Sequence, residues 1–302
     1  MIPNSTLPSL RAWTKTLVAQ YGLRAGVRMG QHFLVDRGVL AAIIRAANLT
    51  PGERVLEVGG GFGVLTLELL QAQARVTVVE LDRRLAQALQ KIAQAGANLT
   101  VLEGDIIKLS DAALRAALGL TNGATFSIVA NLPYEISGAF LRRFLGGPFR
   151  PVRMVLLLQR EVAERLVAIP GATSLLSLSA QLACQQVVLV RLVPAHVFWP
   201  PPRVESSLVR FTLRTASERA EVLGGLAEAE LWRVAHVGFA ARRKFLLNNL
   251  SSAYAAERAV LERCLVQAGL APQARAQELE LSQWIALAAS LHNLPLKASF
   301  SS

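Results

Sequence analysis

The run Val55-Leu56-Glu57-Val58 passes directly into Gly59-Gly60-Gly61-Phe62-Gly63, and the stretch that follows, Val64–Leu70, has the apolar spacing of a helix. Strand, glycine turn and helix in that order bring the backbone close to a ligand at the carboxyl end of a strand. The step is one of a series. From Arg54 to Leu213, apolar runs at Arg54–Val58, Arg75–Glu80, Leu99–Leu102, Phe126–Ala130 and Met154–Gln159 alternate with helical patterns. Near-continuous apolar strands separated by helices predict a parallel sheet covered on both faces, the doubly wound α/β arrangement. Two later runs, Gln186–Val193 and Val204–Leu213, are divided only by the Pro-rich segment Pro194–Pro202, and they predict an antiparallel pair closing the sheet edge.

Beyond Leu213 the β-branched runs stop. Helical patterns take over at Glu221–Phe239, Arg243–Leu250, Ala255–Ala268 and Ser282–Leu291, punctuated by Gly269 and Pro272. The expected division is a ligand-binding sheet domain over residues 1–214 and a small all-helical domain over 215–302. Residues 1–27 are expected to be a leading helical segment, and Asp36 is placed to cap a helix at Val39–Ala47.

Composition narrows the function classes. The mean hydropathy of +0.38 comes from Ala and Leu within amphipathic patterns. Charged or amide residues interrupt every apolar stretch before roughly 18 residues, so no membrane span is expected. The start, Met1-Ile2-Pro3-Asn4-Ser5-Thr6, has no secretory pattern, and a cytoplasmic location is expected. Cys184 and Cys264 each lie in apolar patterns as free thiols; His32, His196, His236 and His292 show no i, i+4 pairing, so no metal site is expected. Charge is the positive signal: 32 Lys and Arg against 21 Asp and Glu give a net +11, which suits a polyanionic partner. Arg dominates, and it stacks on bases and clamps phosphates as well as carrying charge.

The glycine spacing discriminates between ligands. A dinucleotide site needs G-x-G-x-x-G/A, and counting from Gly59 and Gly61 its last position falls on Val64. What remains, from Glu57 through Gly59, Gly61 and Gly63, is E-x-G-x-G-x-G, the pattern of class I methyltransferases, and it points to S-adenosylmethionine. Glu80 closes the second strand, where it can bond both ribose hydroxyls, and Asp105, after the third strand, can accept from the adenine amine of that ligand.

At the end of the fourth strand stands Asn131-Leu132-Pro133-Tyr134. The exocyclic amine of adenine is a poor nucleophile because its lone pair is delocalised into the ring. Two acceptors aimed at its hydrogens help the nitrogen rehybridise and attack a sulfonium methyl. Asn131 offers a side-chain oxygen, and Pro133 restrains Leu132 to an extended conformation that can aim the Leu132 carbonyl as the second acceptor. Tyr134 offers a stacking face to an extruded base. A plain turn is the alternative for this tetrapeptide.

Taken together, these features resemble the ribosomal RNA adenine dimethyltransferase family over roughly Arg28 to Leu291. The resemblance is carried by Gly30-Gln31-His32-Phe33-Leu34-Val35-Asp36, the glycine loop, Val79-Glu80-Leu81-Asp82, Gly104-Asp105, Asn131-Leu132-Pro133-Tyr134 and Leu158-Gln159-Arg160-Glu161. Phe198-Trp199-Pro200-Pro201-Pro202-Arg203-Val204-Glu205-Ser206 and Arg242-Arg243-Lys244-Phe245-Leu246 extend it. It implies a Rossmann-like class I methyltransferase fold with an antiparallel edge and a helical C-terminal domain. It also implies methyl transfer from S-adenosylmethionine to two adjacent adenines near the 3′ end of small-subunit (16S) rRNA, in an immature ribosomal subunit, by a monomeric enzyme. His32, Leu34, Gly59, Gly61, Gly63, Glu80, Leu81, Asp105, Ile106 and Asn131 would form the cofactor site. Asn131, Leu132, Pro133 and Tyr134 would serve catalysis with Phe198, whose position in the family packs on the flipped base; the alternative for Phe198 is a hydrophobic plug over the sheet edge. Arg142, Arg143, Arg203, Arg242, Arg243 and Lys244 would face the RNA.

Two departures stand out. Family members carry a Tyr-Gly-Arg step after the Pro-Gly turn, and here Pro170-Gly171 is followed by Thr173-Ser174-Leu175-Leu176-Ser177. Phe62 is bulkier than the residue often found in the loop, which would tighten the pocket. The rivals are a macrolide-resistance enzyme acting on large-subunit rRNA, an RNA-binding assembly factor without turnover, and a hydride-transferring oxidoreductase.

Overall fold

The computed structural model describes residues 9–22, 32–94, 98–241 and 243–297. Two compact units share the chain: Met1–Ala163 with Gln186–Leu213, and Glu164–Gln185 with Arg214–Ser302. In chain order the elements of the first unit begin with helix α1 (Leu10–Gln20), strand β1 (Phe33–Leu34), helix α2 (Arg37–Ala47), strand β2 (Arg54–Val58), helix α3 (Val64–Gln71), strand β3 (Arg75–Glu80), helix α4 (Arg83–Ala93), strand β4 (Leu99–Glu103) and helix α5 (Asp111–Ala117). They continue with strand β5 (Ser127–Asn131), helix α6 (Ser137–Leu141), a π-helical turn at Arg142–Gly146, strand β6 (Arg153–Gln159) and helix α7 (Arg160–Leu166). After helix α8 (Leu175–Ala183) come strands β7 (Cys184–Val193), β8 (Phe198–Trp199) and β9 (Ser206–Leu213), and then helices α9 (Ala216–Leu223), α10 (Glu228–Phe239), α11 (Leu246–Ala253), α12 (Arg258–Gln267) and α13 (Leu281–Leu291).

The main sheet runs β4-β3-β2-β5-β6-β9-β7. Its first five strands are parallel, and β9 joins β6 antiparallel, with Arg153 opposite Thr212 and Gln159 opposite Ser206. The expected α/β class with an antiparallel edge is therefore present, and β9 sits inside β7. Because β3 and β4 lie on one side of β2 and β5 and β6 on the other, the order reverses between β2 and β5, which is where open α/β sheets bind ligands. One core packs Val39, Leu40 and Ile43 of α2 and Leu65 and Leu69 of α3 onto Val55, Val76, Val129 and Leu157 of the sheet. Asp36 caps α2 as expected, its Oδ1 accepting from the Val39 N–H at 2.8 Å. A second, two-stranded sheet pairs β1 with β8, Phe33 opposite Trp199 and Leu34 opposite Phe198.

The helical unit packs around the fully buried Trp284 and Tyr254, with Leu231, Leu250, Leu261 and Leu287. Three details differ from the sequence expectation. The single helix expected at Glu221–Phe239 is two, because Gly224 and Gly225 take left-handed φ of 58° and 88° between α9 and α10. The helix expected from Arg243 begins at Leu246. A division placed only after residue 214 leaves out α8, whose Leu178 and Leu182 belong to the helical core. That helix starts where the Tyr-Gly-Arg step is missing: Ser174 and Ser177 form a reciprocal capping box, the Ser177 Oγ accepting from the Ser174 N–H at 2.7 Å and the Ser174 Oγ from the Ser177 N–H at 3.2 Å.

Candidate active site

The carboxyl ends of four neighbouring strands converge on one cavity of about 330 Å³. β2 delivers the glycine loop, β3 ends in Glu80, β4 leads to Asp105 and β5 ends in Asn131. Gly59 and Gly61 turn with φ of 71° and 56°. A Cβ at Gly60 would lie 2.6 Å from Val78 Cγ1, so the loop can lie this close to β3 and α4 only without a side chain. Gly63 differs from the expectation. It lines no part of the cavity; it is the N-cap of α3 with φ 82°, and a Cβ there would meet Ile92 at 2.8 Å, so it serves helix packing.

Glu80 is held rigidly. Its Oε2 accepts the Gly61 N–H at 2.9 Å and its Oε1 accepts the Asp82 N–H at 3.0 Å. Burial pushes its carboxyl above the ordinary range, while those two backbone donors pull the other way. Leu81 beside it is 59% exposed at the rim, and Ile106 is buried in the wall with Leu34. Asp105 is partly exposed; its Oδ1 accepts the Ile107 N–H at 2.9 Å, and Lys108 Nζ stands 3.9 Å from its Oδ2.

Beneath the loop lies a second acid, Glu57. Burial raises its carboxyl to about 8, against the Thr66 hydroxyl donating to its Oε2 at 2.6 Å, and the neighbouring Glu80 adds to the rise. Sequence reasoning used Glu57 only as the first letter of a pattern, yet it lines the cavity.

Asn131, Leu132, Pro133 and Tyr134 all line the same cavity. The Asn131 Nδ2 donates to the His32 carbonyl at 3.0 Å. A carbonyl can take only a donor, so this contact fixes the amide orientation and leaves Oδ1 as the acceptor. His32 is anchored in turn, its Nδ1–H donating to the Pro200 carbonyl at 2.7 Å. Pro133 has φ −56° and ψ 130°, and the chain turns from it into a 3₁₀ turn at Tyr134–Ile136. The Tyr134 ring centroid is 5.7 Å from that of His32, and its hydroxyl shares a 2.6 Å hydrogen bond with the buried Ser206 Oγ. Burial raises the Tyr134 phenol above its ordinary value, with Ser206 opposing, so the ring is a neutral platform at physiological pH.

Two further expected site residues, besides Gly63, are placed elsewhere. Phe198 is wholly buried in the core and absent from the cavity lining, because β8 pairs with β1 and turns that ring inward; the plug is the arrangement found. Arg143 does not project to solvent. The π-helical turn directs its guanidinium to Asp111 at 2.7 Å, to the Leu109 carbonyl at 2.6 Å and to the Ile106 carbonyl, bracing the segment after Asp105. Arg142, Arg203, Arg243 and Lys244 are exposed, and Arg242 lies outside the described residues, as do Gly30 and Gln31. Thr14 and Phe33 line the cavity without having been given a site role in the sequence; Thr14 belongs to no motif, and Phe33 stands between His32 and Leu34 in one. Among the described residues no group of His, Cys, Asp and Glu could hold a metal, and no helix is long and apolar enough to cross a membrane.

The comparisons with known proteins agree with this geometry. Residues 23–293 match the family described as ribosomal RNA adenine dimethylase. The chain is 39% identical over 277 residues, 92% of each chain, to Ribosomal RNA small subunit methyltransferase A of Dehalococcoides mccartyi, and 41% identical over 285 residues to the protein of that name from Anaeromyxobacter dehalogenans, covering 93% of this chain and 96% of that one. Among solved structures, a dimethyladenosine transferase from Plasmodium falciparum shares the fold with a TM-score of 0.67 at 24% identity, covering 86% of this chain and 98% of that one. The 23S rRNA methyltransferase ErmE gives 0.63 at 27% identity, covering 86% of this chain and all of that one. A family match across nine-tenths of the chain, on a cavity built from the family's own motifs, settles the assignment: the chain belongs to the ribosomal RNA adenine dimethylase family and is an S-adenosylmethionine-dependent methyltransferase.

Proposed function

We propose that this enzyme dimethylates the N6 amines of two adjacent adenines near the 3′ end of 16S rRNA, acting on an immature small subunit in the cytoplasm as a monomer. The observation that carries the reading is the Asn131 amide, locked by the His32 carbonyl at the end of β5 so that its oxygen is left to accept. S-adenosylmethionine supplies a methyl group on a sulfonium; the cavity of about 330 Å³, its glycine turns and the preset Glu80 suit such a ligand. Glu80 would take the ribose hydroxyls and Asp105 the adenine amine, with His32, Leu34, Gly59, Gly61, Leu81 and Ile106 around them.

The work of this chain's own residues is orientation. Asn131 Oδ1 and the Leu132 carbonyl accept the two hydrogens of the target amine, drawing its lone pair out of the ring and toward the methyl group. Tyr134, tethered by Ser206, provides the face on which the extruded base lies. No ionised side chain is needed to remove the proton before attack, since nitrogen attacks with its lone pair and sheds the proton afterwards. Residues 215–302, with exposed Arg243 and Lys244, serve the RNA together with Arg142 and Arg203.

Small-subunit relatives at 39–41% identity, against 27% for the large-subunit enzyme, support the 16S target. Primer extension over 16S rRNA from a host lacking its own small-subunit adenine dimethyltransferase provides the test, because dimethylated adenines block the extending polymerase. Expression of this chain should restore the paired stops; their absence, or a gain of erythromycin resistance instead, would overturn the proposal.

A further inference from the structure

Helix α1 lies outside the strand-and-helix repeat and carries no motif, yet it reaches the cavity. Leu10, Thr14 and Val18, spaced at i, i+4 and i+8, are its buried face. Thr14 is wholly buried, spends its Oγ1 on the Leu10 carbonyl at 2.9 Å, and stands among the residues lining the cavity. Beside it, Trp13, Leu17, Val18 and Tyr21 gather around Phe62 and Leu85. Phe62 belongs to the glycine loop itself. Its ring centroid is 6.0 Å from that of Tyr21 and 5.0 Å from that of Phe33, so the bulky loop residue packs against the helix while it also lines the cavity.

Polar ties fasten the helix at both ends. The Arg11 guanidinium donates to the His196 carbonyl, Arg84 Nη1 donates to the Gly22 carbonyl at 3.1 Å, and the Lys91 ammonium sits 5.7 Å from the centre of the Tyr21 ring. Arg84 and Lys91 belong to α4, which packs under the same glycine loop through Leu85 and Leu89.

We propose that α1 is a wall of the S-adenosylmethionine site, docked on Phe62, and that cofactor binding and helix docking stabilise each other. Thr14 places the helix against the ligand's space, and Phe62 places it against the loop that cradles the ligand. A ligand that touches only the docked form must favour docking, and by reciprocity loss of docking must weaken the ligand. Phe62 is thereby a positioning residue for α1 as well as part of the cavity wall.

Limited trypsin digestion of the full chain tests this, since Arg11 and Lys15 lie within α1 and report its docking. Saturating S-adenosylhomocysteine should slow cleavage at both sites several-fold. Val18→Asp sets a carboxylate against Phe62 and Leu85 without lining the cavity; it should speed those cuts and raise the S-adenosylhomocysteine Kd by about tenfold or more, while kcat at saturating cofactor and the Tm of the sheet core stay near wild type and Val18→Ile changes neither. Equal cleavage rates with and without the ligand, or wild-type affinity in a folded Val18→Asp protein whose α1 is cut faster, would overturn the proposal. Should Val18→Asp not fold, protection of the wild-type sites decides alone.

Discussion

Glu57 shows how a residue can be visible in a pattern and still be given no role. The sequence marks it as an acid before a glycine turn, and only the fold reveals that it is fully buried next to Glu80. Burial keeps its carboxyl protonated up to about 8, well above the 4.5 of an exposed glutamate. The folded chain therefore holds this proton more tightly than the unfolded chain, and stability must fall as pH rises between those two values, by on the order of 1 kcal/mol per pH unit. Glu57→Gln keeps an acceptor for Thr66 and removes the titration. The melting temperature of the ligand-free protein should decline from about pH 5 to about pH 8, and Glu57→Gln should decline distinctly less; identical profiles would place the pH dependence elsewhere. Asn131 was legible as an acceptor from chemistry alone, but the partner that orients it is a backbone carbonyl 99 residues away, which no local pattern encodes. The burial of Phe198 was not legible for a related reason: a motif specifies an aromatic ring, and here that ring sits in a two-residue strand paired with β1 and packed in the core.

At the scale of elements, the seven strands of the main sheet were read to within a residue or two, because their buried apolar runs leave few alternatives, whereas the two-residue β1 and β8 had no such run to show them. Helix limits were less legible wherever a glycine pair or a cap decides them, as at Gly224-Gly225 and at Ser174–Ser177. The π-helical turn at Arg142–Gly146 had no signature, and it is what diverts Arg143 from solvent to Asp111. The glycine loop is the element most tightly determined. Gly60→Ala keeps an allowed backbone but presses a methyl carbon to 2.6 Å from Val78 Cγ1 and 3.0 Å from Leu89 Cδ1, within a core that has no slack. Overpacking of this kind costs about 1–3 kcal/mol. Thermal unfolding should show Gly60→Ala melting several degrees below wild type, and an unchanged melting temperature would mean that the loop and α4 part more readily than their packing indicates.

For the molecule as a whole, the excess of 11 positive charges pointed to a polyanion, but the count alone does not identify the surface. Arg143, Arg153, Arg219 and Arg233 are each paired with a carboxylate inside their own unit and largely shielded, so they are structural rather than available to RNA. Of the residues expected to meet RNA, Arg142 and Arg203 in the sheet unit and Arg243 and Lys244 in the helical one are exposed. In the proposed mechanism, by contrast, catalysis rests on one amide and one peptide oxygen at the end of β5. The measurement that tests this most directly is transfer of labelled methyl from S-adenosylmethionine to undermethylated small ribosomal subunits, followed by nucleoside analysis, for wild type and Asn131→Ala side by side. Wild type should yield N6,N6-dimethyladenosine in the 3′ region of 16S rRNA. Asn131→Ala should lose about 100-fold or more in rate with a much smaller loss of S-adenosylhomocysteine affinity. Label arriving in large-subunit RNA, or an Asn131→Ala enzyme that still dimethylates at the wild-type rate, would contradict the account.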